Sequence, residues 1–144
     1  MTVKAKPDGY NNVIPYILAR NAEALQDFII NTFNGVEKDR VVAGGTLRHG
    51  EVVIGDSMIM LAEATDQSPA CSGMFYIYCD DVDAVYKKGL ANGAKSLMEP
   101  ALQFYGDRSG GFEDNFGNQW WVATHVEDVP PEEMERRVKE KHQK

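Results

Sequence analysis

One stretch of the sequence has the pattern of a single long β-hairpin, and the rest of the fold is built around it. It covers residues 105–125 and reads YGDRSGGFEDNFGNQWWVATH. Its corner is Asp114-Asn115-Phe116-Gly117, and glycine and asparagine tolerate the positive φ of tight turns. After the corner, Gln119–Thr124 has the aromatic and β-branched content of a strand packed on both faces. Before it, polar side chains alternate with glycines that let a strand bend. A bent polar strand beside two tryptophans indicates either the wall of a pocket or a surface hairpin decorated with ion pairs.

Upstream of the hairpin, one order of elements occurs twice. A strand in residues 10–19, placed at an edge by Pro15, leads to a helix that begins after Asn21 and stops at Gly35. Strands follow at residues 36–43, 46–54 and 57–62, and the order resumes with a strand at 73–79 and a helix capped by Asp80 or Asp81. Both helices end in Asn-Gly. The repeat predicts an α+β fold of two βαβββ modules, at about 10–64 and 72–126, with a terminal helix at about 130–141.

Composition excludes several classes of protein. The 144 residues fit one domain, and a formal charge of -7 with scattered Lys and Arg argues against binding to nucleic acid. No stretch approaches the roughly 20 apolar residues of a membrane span. The N-terminus lacks the apolar core of a secretion signal, and Cys71 and Cys79 do not have metal-ligand spacing. We therefore expect a cytoplasmic protein with no membrane partner.

Three groups of short motifs resemble a known family. They are Gly9-Tyr10 with VIPY at 13–16, HGEVVIGD at 49–56, and YGDR at 105–108 with Phe116-Gly117 and ATHVED at 123–128. Over nearly the whole chain they resemble the vicinal oxygen chelate superfamily, which includes glyoxalase I, bleomycin-resistance proteins and extradiol dioxygenases. The closest resemblance is to the PhnB-like, or 3-demethylubiquinone-methyltransferase-like, branch. It implies curled mixed sheets around a cavity, a homodimer and a small-molecule ligand, but most members of this branch have no settled activity.

The resemblance also implies where a metal would bind, namely at the first and last strands of each module. Here the last strand of the first module reads Met-Ile-Met-Leu at 58–61, and the second module has Trp120 or Trp121 at the corresponding place. The first strand offers Asn11 and Asn12, where this branch often has histidine. A divalent ion needs several converging oxygen or imidazole ligands. We expect no metal or other cofactor, with a divalent metal as the disfavoured alternative.

His49 and Glu51 are the best acid/base pair in the sequence. Strand alternation puts both on one face, where a carboxylate can orient an imidazole for proton transfer, although a hydrogen-bonded structural pair is the plainer interpretation. Arg108 suits a carboxylate or phosphate ligand, or a salt bridge. Aromatic side chains suit a planar ligand, although at least one of the two tryptophans belongs in the core. The candidate ligand-binding residues are Asn12, Met60, Tyr105, Arg108 and Trp121.

The sequence is compatible with three kinds of function. In the first, a homodimer holds a small, partly planar organic molecule in a metal-free cavity. In the second, the protein is an enzyme. It is then either a metal-dependent lyase, isomerase or dioxygenase with a non-standard site, or a metal-free acid/base catalyst that uses His49 and Glu51. A structural or regulatory dimer without a ligand is the third possibility.

Overall fold

The computed structural model describes residues 2–142, which form eight strands in two four-stranded mixed sheets and three helices. The α+β fold of two βαβββ modules is therefore confirmed. The chain separates into a first compact unit that ends at Gly73 and a second that starts at Met74. In chain order the elements are β1 (Tyr16–Ala19), α1 (Ala22–Phe33), β2 (Val36–Ala43), β3 (Thr46–Ile54), β4 (Ser57–Glu63), β5 (Met74–Tyr78), α2 (Val82–Ala91), β6 (Lys95–Leu102), β7 (Asp107–Glu113), β8 (Gln119–His125) and α3 (Pro131–His142).

In the first unit the strands lie in the order β1-β4-β3-β2, with β1 parallel to β4. Helix α1 covers one face, and a Cβ at Gly50 would clash with Oε1 of Gln26 on that helix. Because neighbouring strand residues point to opposite sides, His49 and Glu51 point away from α1. We call this uncovered side, which carries Tyr16, His49, Glu51 and Met60, the open face of sheet one.

Simple alternation fails at one place on β3. His49 pairs with Val41, but Leu47 pairs with Val42, so Arg48 is an extra residue in a β-bulge. The bulge turns Leu47 to the α1 side, where it is fully buried and lies near Gly50. Strict alternation would put Leu47 on the same face as His49, but the bulge puts the two on opposite faces.

The ends of β1 and α1 differ from the sequence prediction. Strand β1 starts at Tyr16 rather than residue 10, immediately after Pro15, whose nitrogen cannot donate to a ladder. Asn21 precedes α1 as predicted, but it is left-handed (φ 64°) and its side chain makes no cap. Instead the Glu63 carboxylate accepts hydrogen bonds from the Asn21 and Ala22 amides at 2.9 and 3.0 Å. The last strand of this unit thus caps its first helix.

In the second unit the strands lie in the order β5-β8-β7-β6, again with the first and last strands parallel. The predicted cap of α2 is Asp81, whose side chain accepts from the Ala84 amide. Phe112 on β7 faces α2, since a Cβ at Gly89 would meet its ring at 2.6 Å. Trp120 pairs with Phe112, is fully buried and stacks on Phe75 with ring centroids 4.6 Å apart. The prediction that at least one tryptophan belongs to the core is confirmed.

The other face of this sheet carries Trp121, which pairs with Gly111 on β7 and Tyr76 on β5. We call it the open face of sheet two. Helix α3 has no fully buried residue and is tied to the unit by Arg137, which donates to Glu127 and to the Phe104 carbonyl. Within residues 2–142, none of the helices has the length and apolar content needed to cross a membrane.

Candidate functional site

Four side chains form a hydrogen-bonded chain on the open face of sheet one. The Tyr10 hydroxyl donates to Glu51 Oε1 at 2.7 Å, and Glu51 Oε2 lies 2.7 Å from His49 Nε2. The other ring nitrogen of His49, Nδ1, lies 3.1 Å from the Tyr16 hydroxyl. We call Tyr10, Glu51, His49 and Tyr16 the first cluster. It confirms the predicted contact between His49 and Glu51. It also adds Tyr10 and Tyr16, which were not among the predicted site residues.

Glu51 is a nearly buried carboxylate at the centre of this cluster, with 5% of its surface exposed. Burial by itself would raise its pKa, but hydrogen bonds from Tyr10 and His49 reverse the effect, so the pKa lies below its usual value. The same hydrogen bond raises the pKa of Tyr10. Lys38 lies over the Tyr10 ring, 4.3 Å from its centroid, and adds positive charge nearby. Glu51 is therefore held as an anion and Tyr10 as a neutral donor.

The sheet register aligns the first cluster with two further residues. Met60 on β4 pairs with Tyr16 on one side and with Glu51 on the other, and Glu51 pairs in turn with Asp39 on β2. Tyr16, Met60, Glu51 and Asp39 thus form one row across all four strands. Met60 is half-buried, so an apolar side chain separates the exposed tyrosine from the buried carboxylate.

Asp39, His49 and Glu51 bring possible metal-ligand atoms within 4.8 Å of one another. Atoms bound at about 2.0–2.2 Å to one tetrahedral ion lie about 3.3–3.6 Å apart. His49 Nε2 and Glu51 Oε2 are separated by only 2.7 Å, which is a hydrogen bond, and His49 Nδ1 is engaged by Tyr16. A metal would have to break the first cluster to bind here. In the present arrangement, His49 and Glu51 belong to a proton-sharing network with the two tyrosines.

A second cluster lies on the open face of sheet two and surrounds Asp107. This carboxylate is 3% exposed and accepts from the Tyr76 and Tyr78 hydroxyls at 2.7 and 2.8 Å. Its other oxygen lies 2.8 Å from His125 Nδ1, and His125 Nε2 lies 2.7 Å from Asp128. Asp107, Tyr76, Tyr78 and His125 form this second cluster, whose carboxylate is fully supplied with donors.

Both aspartates shift the pKa of His125, and His125 in turn shifts the pKa of Asp107. Hydrogen bonds to Asp128 and Asp107 raise the pKa of His125. Burial would raise the pKa of Asp107, but its bonds from His125, Tyr76 and Tyr78 lower it. Burial, the neighbouring Tyr105 and Asp107 raise the pKa of Tyr76 strongly. The second cluster thus favours the protonated form of His125, the ionised form of Asp107 and the neutral form of both tyrosines.

The tyrosines of the second cluster and the neighbouring Trp121 form an aromatic surface. Tyr76 and Tyr78 are 46% and 62% exposed, and their rings meet at 5.4 Å in an edge-on arrangement. Trp121 is half-buried and lies across Gly111, where a Cβ would be 2.5 Å from the indole atom Cε3. Glycine at this position allows the indole to lie flat on the sheet. The result is an open patch of three aromatic side chains beside a buried carboxylate.

The predicted ligand-binding residues do not all belong to these surfaces. Met60 lies in the row of sheet one, and Asn12 is exposed and accepts from Lys6. Trp121 lies on the open face of sheet two, and the Tyr105 hydroxyl is 3.5 Å from that of Tyr76. Arg108 points to the α2 side of the sheet, where Nε and Nη2 each donate at 2.9 Å to Asp83.

Asp107 and His125 were missed as a pair in the sequence, although a signal was present. They lie at equal distances along the chain on either side of Phe116, at the centre of the hairpin corner, so they are opposed in the antiparallel register. Tyr10 and Tyr16 left no such signal, because their partners are 41 and 33 residues away.

The family model described as the Glyoxalase/Bleomycin resistance protein/Dioxygenase superfamily matches residues 13–122. The chain belongs to this superfamily. An uncharacterised protein of Mycobacterium bovis is 28% identical over 133 residues, which cover 84% of this chain and 88% of the relative.

Solved structures share the superfamily fold. The crystal structure of TioX from Micromonospora sp. ML1 has a TM-score of 0.68 at 18% identity and covers 81% of this chain and 99% of its own. TnmS3 from Streptomyces sp. CB03234, described as an antibiotic binding protein, has a TM-score of 0.63 at 18% identity. It covers 78% of this chain and 93% of its own. At these identities the likeness is one of fold.

Proposed function

We propose that this superfamily member binds a small, partly planar organic molecule, without a metal, as a cytoplasmic homodimer of the PhnB-like branch. The observation that carries the proposal is the aromatic patch of Trp121, Tyr76 and Tyr78 on the open face of sheet two. Exposed apolar surface grouped around a few placed polar groups is typical of ligand sites.

The patch has both parts that recognition of such a molecule requires. Offset or edge-on contacts with aromatic rings contribute about 0.5–1.5 kcal/mol each beyond area burial. The indole of Trp121 offers a flat surface because Gly111 beneath it has no side chain. Tyr105, whose hydroxyl approaches that of Tyr76, extends the patch with a further polar group.

The comparison with TnmS3 supports the same class of ligand. That protein is described as binding an antibiotic, and its fold matches this chain at a TM-score of 0.63. We infer a similar role here, with Arg108 as a residue that positions α2 through Asp83.

Thermal-shift measurements with a panel of planar aromatic compounds test the proposal. We expect at least one class to raise the melting temperature of the wild-type protein, and Trp121→Ala to remove most of that shift. Val42→Ala is the matched control, since Val42 is an exposed apolar residue on β2 of the other sheet. Equal shifts in the wild type and Trp121→Ala would contradict the proposal. Sedimentation equilibrium tests the homodimer separately.

Metal-free acid/base catalysis by His49 and Glu51 is the second candidate function. It is favoured by the 2.7 Å contact between them and by the near burial of Glu51. Such a pair holds the imidazole in one orientation for proton transfer. We expect His49→Ala to change ligand affinity or turnover while the far-UV circular dichroism stays that of the wild type. Stoichiometric zinc, nickel or iron in the purified protein would instead favour the metal-dependent alternative.

A further inference from the structure

We propose that Tyr16 is the proton-transfer group of the first cluster, and that His49 and Glu51 act through it as positioning residues. This inference rests on the second candidate function, metal-free acid/base catalysis. The ligand class is a small organic molecule that carries an acidic C–H or O–H group and binds on the open face of sheet one.

The direction of the hydrogen bonds follows from the chemistry of each group. Glu51 is an anion and only accepts, so His49 Nε2, 2.7 Å away, must carry a hydrogen. In a neutral imidazole the other nitrogen, Nδ1, is then an acceptor. With His49 neutral, the Tyr16 hydroxyl, 3.1 Å from Nδ1, donates to it. The hydrogen-bonded series therefore ends at the Tyr16 phenol, whose proton points to His49 Nδ1.

Exposure decides which end of the chain meets a ligand. The Glu51 and His49 side chains are 7% and 31% exposed, and Tyr16 is 47% exposed. Met60 lies between Tyr16 and Glu51 in the sheet, so it separates a ligand near the phenol from the carboxylate. Tyr10, at the other end of the first cluster, is half-buried, so Tyr16 is the most exposed member of the cluster.

The second unit provides an internal comparison. Tyr76 occupies the register position equivalent to Tyr16, since each tyrosine pairs with the open-face residue of the last strand, Trp121 or Met60. The Tyr76 hydroxyl, however, donates directly to the Asp107 carboxylate, and the imidazole of His125 lies on the far side of that carboxylate. The order is tyrosine, imidazole, carboxylate in the first unit and tyrosine, carboxylate, imidazole in the second. The first order puts a base next to the phenol, and the second stabilises the neutral phenol.

The proton step balances within these groups. As the Tyr16 O–H bond breaks, its proton forms an N–H bond at His49 Nδ1, and the imidazolium is stabilised by Glu51. The Tyr16 phenolate then takes a proton from the C–H or O–H of the ligand, whose electron pair stays on the ligand as a carbanion, enolate or alkoxide. Return of the two protons in reverse order restores the starting state.

Labelling with an aryl sulfonyl fluoride tests the activation of Tyr16 without knowledge of the ligand. The phenol oxygen forms a bond to sulfur, the S–F bond breaks, fluoride leaves, and the phenol proton goes to His49. Peptide mass spectrometry measures the rate at each tyrosine. We expect Tyr16 to react at least about tenfold faster than Tyr76, since a positioned base typically contributes about 10²-fold or more.

Three variants complete the experiment. His49→Gln and Glu51→Gln should lower Tyr16 labelling to the rate of Tyr76. Asp56→Asn, the matched control at an exposed turn, should leave it unchanged, because the Asp56 carboxylate binds Ser57 and takes no part in the first cluster. Far-UV circular dichroism checks that each variant is folded, and ¹⁵N NMR of His49 in the wild type should show a protonated Nε2 and an unprotonated Nδ1.

The outcomes separate this inference from the function on which it rests. Equal labelling of Tyr16 and Tyr76, or a Tyr16 rate that His49→Gln leaves unchanged, overturns the role of Tyr16. Direct modification of His49 with slow Tyr16 labelling would also overturn it, while leaving the acid/base pair in place. If neither Tyr16 nor His49 is labelled rapidly, the inference and the acid/base function are both overturned.

Discussion

Substitution of Asp114 by asparagine should strongly destabilise the second unit. The Asp114 carboxylate is 5% exposed and accepts four hydrogen bonds at the hairpin corner. One oxygen receives the Phe116 and Asn118 amides at 2.8 and 2.9 Å. The other receives Asn118 Nδ2 at 2.9 Å and Trp120 Nε1 at 2.8 Å. In Asp114→Asn the new amide nitrogen faces these last two donors.

The magnitude follows from the bonds that are lost. Hydrogen bonds to charged groups contribute about 1.5–3 kcal/mol each, so the loss of two costs about 3–6 kcal/mol. Rotation of the Asn118 amide would recover one of them, which leaves a cost of about 1.5–3 kcal/mol. Unfolding in urea, followed by far-UV circular dichroism, measures this difference. The control is Asp56→Asn at the exposed β3–β4 turn, expected within about 0.5 kcal/mol of the wild type. If both variants cost the same, Asp114 does not organise the corner.

Three further predictions concern the tryptophans, the cap of α1 and the pH dependence of stability. Trp120→Ala should lower the free energy of unfolding in urea by about 3–5 kcal/mol, because Trp120 is fully buried. Trp121→Ala should lower it clearly less, because Trp121 is half-buried. Equal losses would contradict the assignment of the two side chains to opposite faces. Glu63→Gln should lower the free energy of unfolding by about 0.5–2 kcal/mol, because the negative charge at the start of α1 is lost. An unchanged urea midpoint would show that Glu63 does not cap the helix. The pKa of His125 is raised by its aspartate partners, so its stabilisation is full below about pH 6.5 and is lost as the pH rises through the folded value. The melting-temperature difference between the wild type and His125→Gln should therefore shrink from pH 6 towards alkaline pH, and a difference that grows would refute this linkage.

Much of the fold could be predicted because its signals are local. Strand alternation, Gly-rich turns and the paired Asn-Gly helix ends each involve residues close in sequence, and together they gave two modules of the same element order. The errors arose where a distant group decided the structure. The cap of α1 comes from Glu63, which is 42 residues from Asn21, and no local pattern links them. The bulge at Arg48 breaks a period that the prediction treated as uniform.

The candidate site was predictable to a smaller extent. His49 and Glu51 are two residues apart on one strand, so their contact followed from alternation alone. Arg108 was proposed for ligand binding because its chemistry suits anions, but its partner Asp83 is on a helix 25 residues earlier. Tyr10 and Tyr16 reach the site only because β1 and the segment before it lie beside β4. Side-chain chemistry can be recognised in a sequence, whereas the set of groups that surround it depends on tertiary pairing.

The parallel pairing of β1 with β4, and of β5 with β8, has a consequence for how such a chain arises. In each half, the strand translated first ends up adjacent to the strand translated last, so a single stretch of gene specifies a complete sheet with its own helix. Copying that stretch once in tandem supplies a second sheet without any exchange of strands. Each copy can then accumulate its own substitutions at the same register positions. Met60 in the first sheet and Trp121 in the second occupy one such pair of equivalent positions.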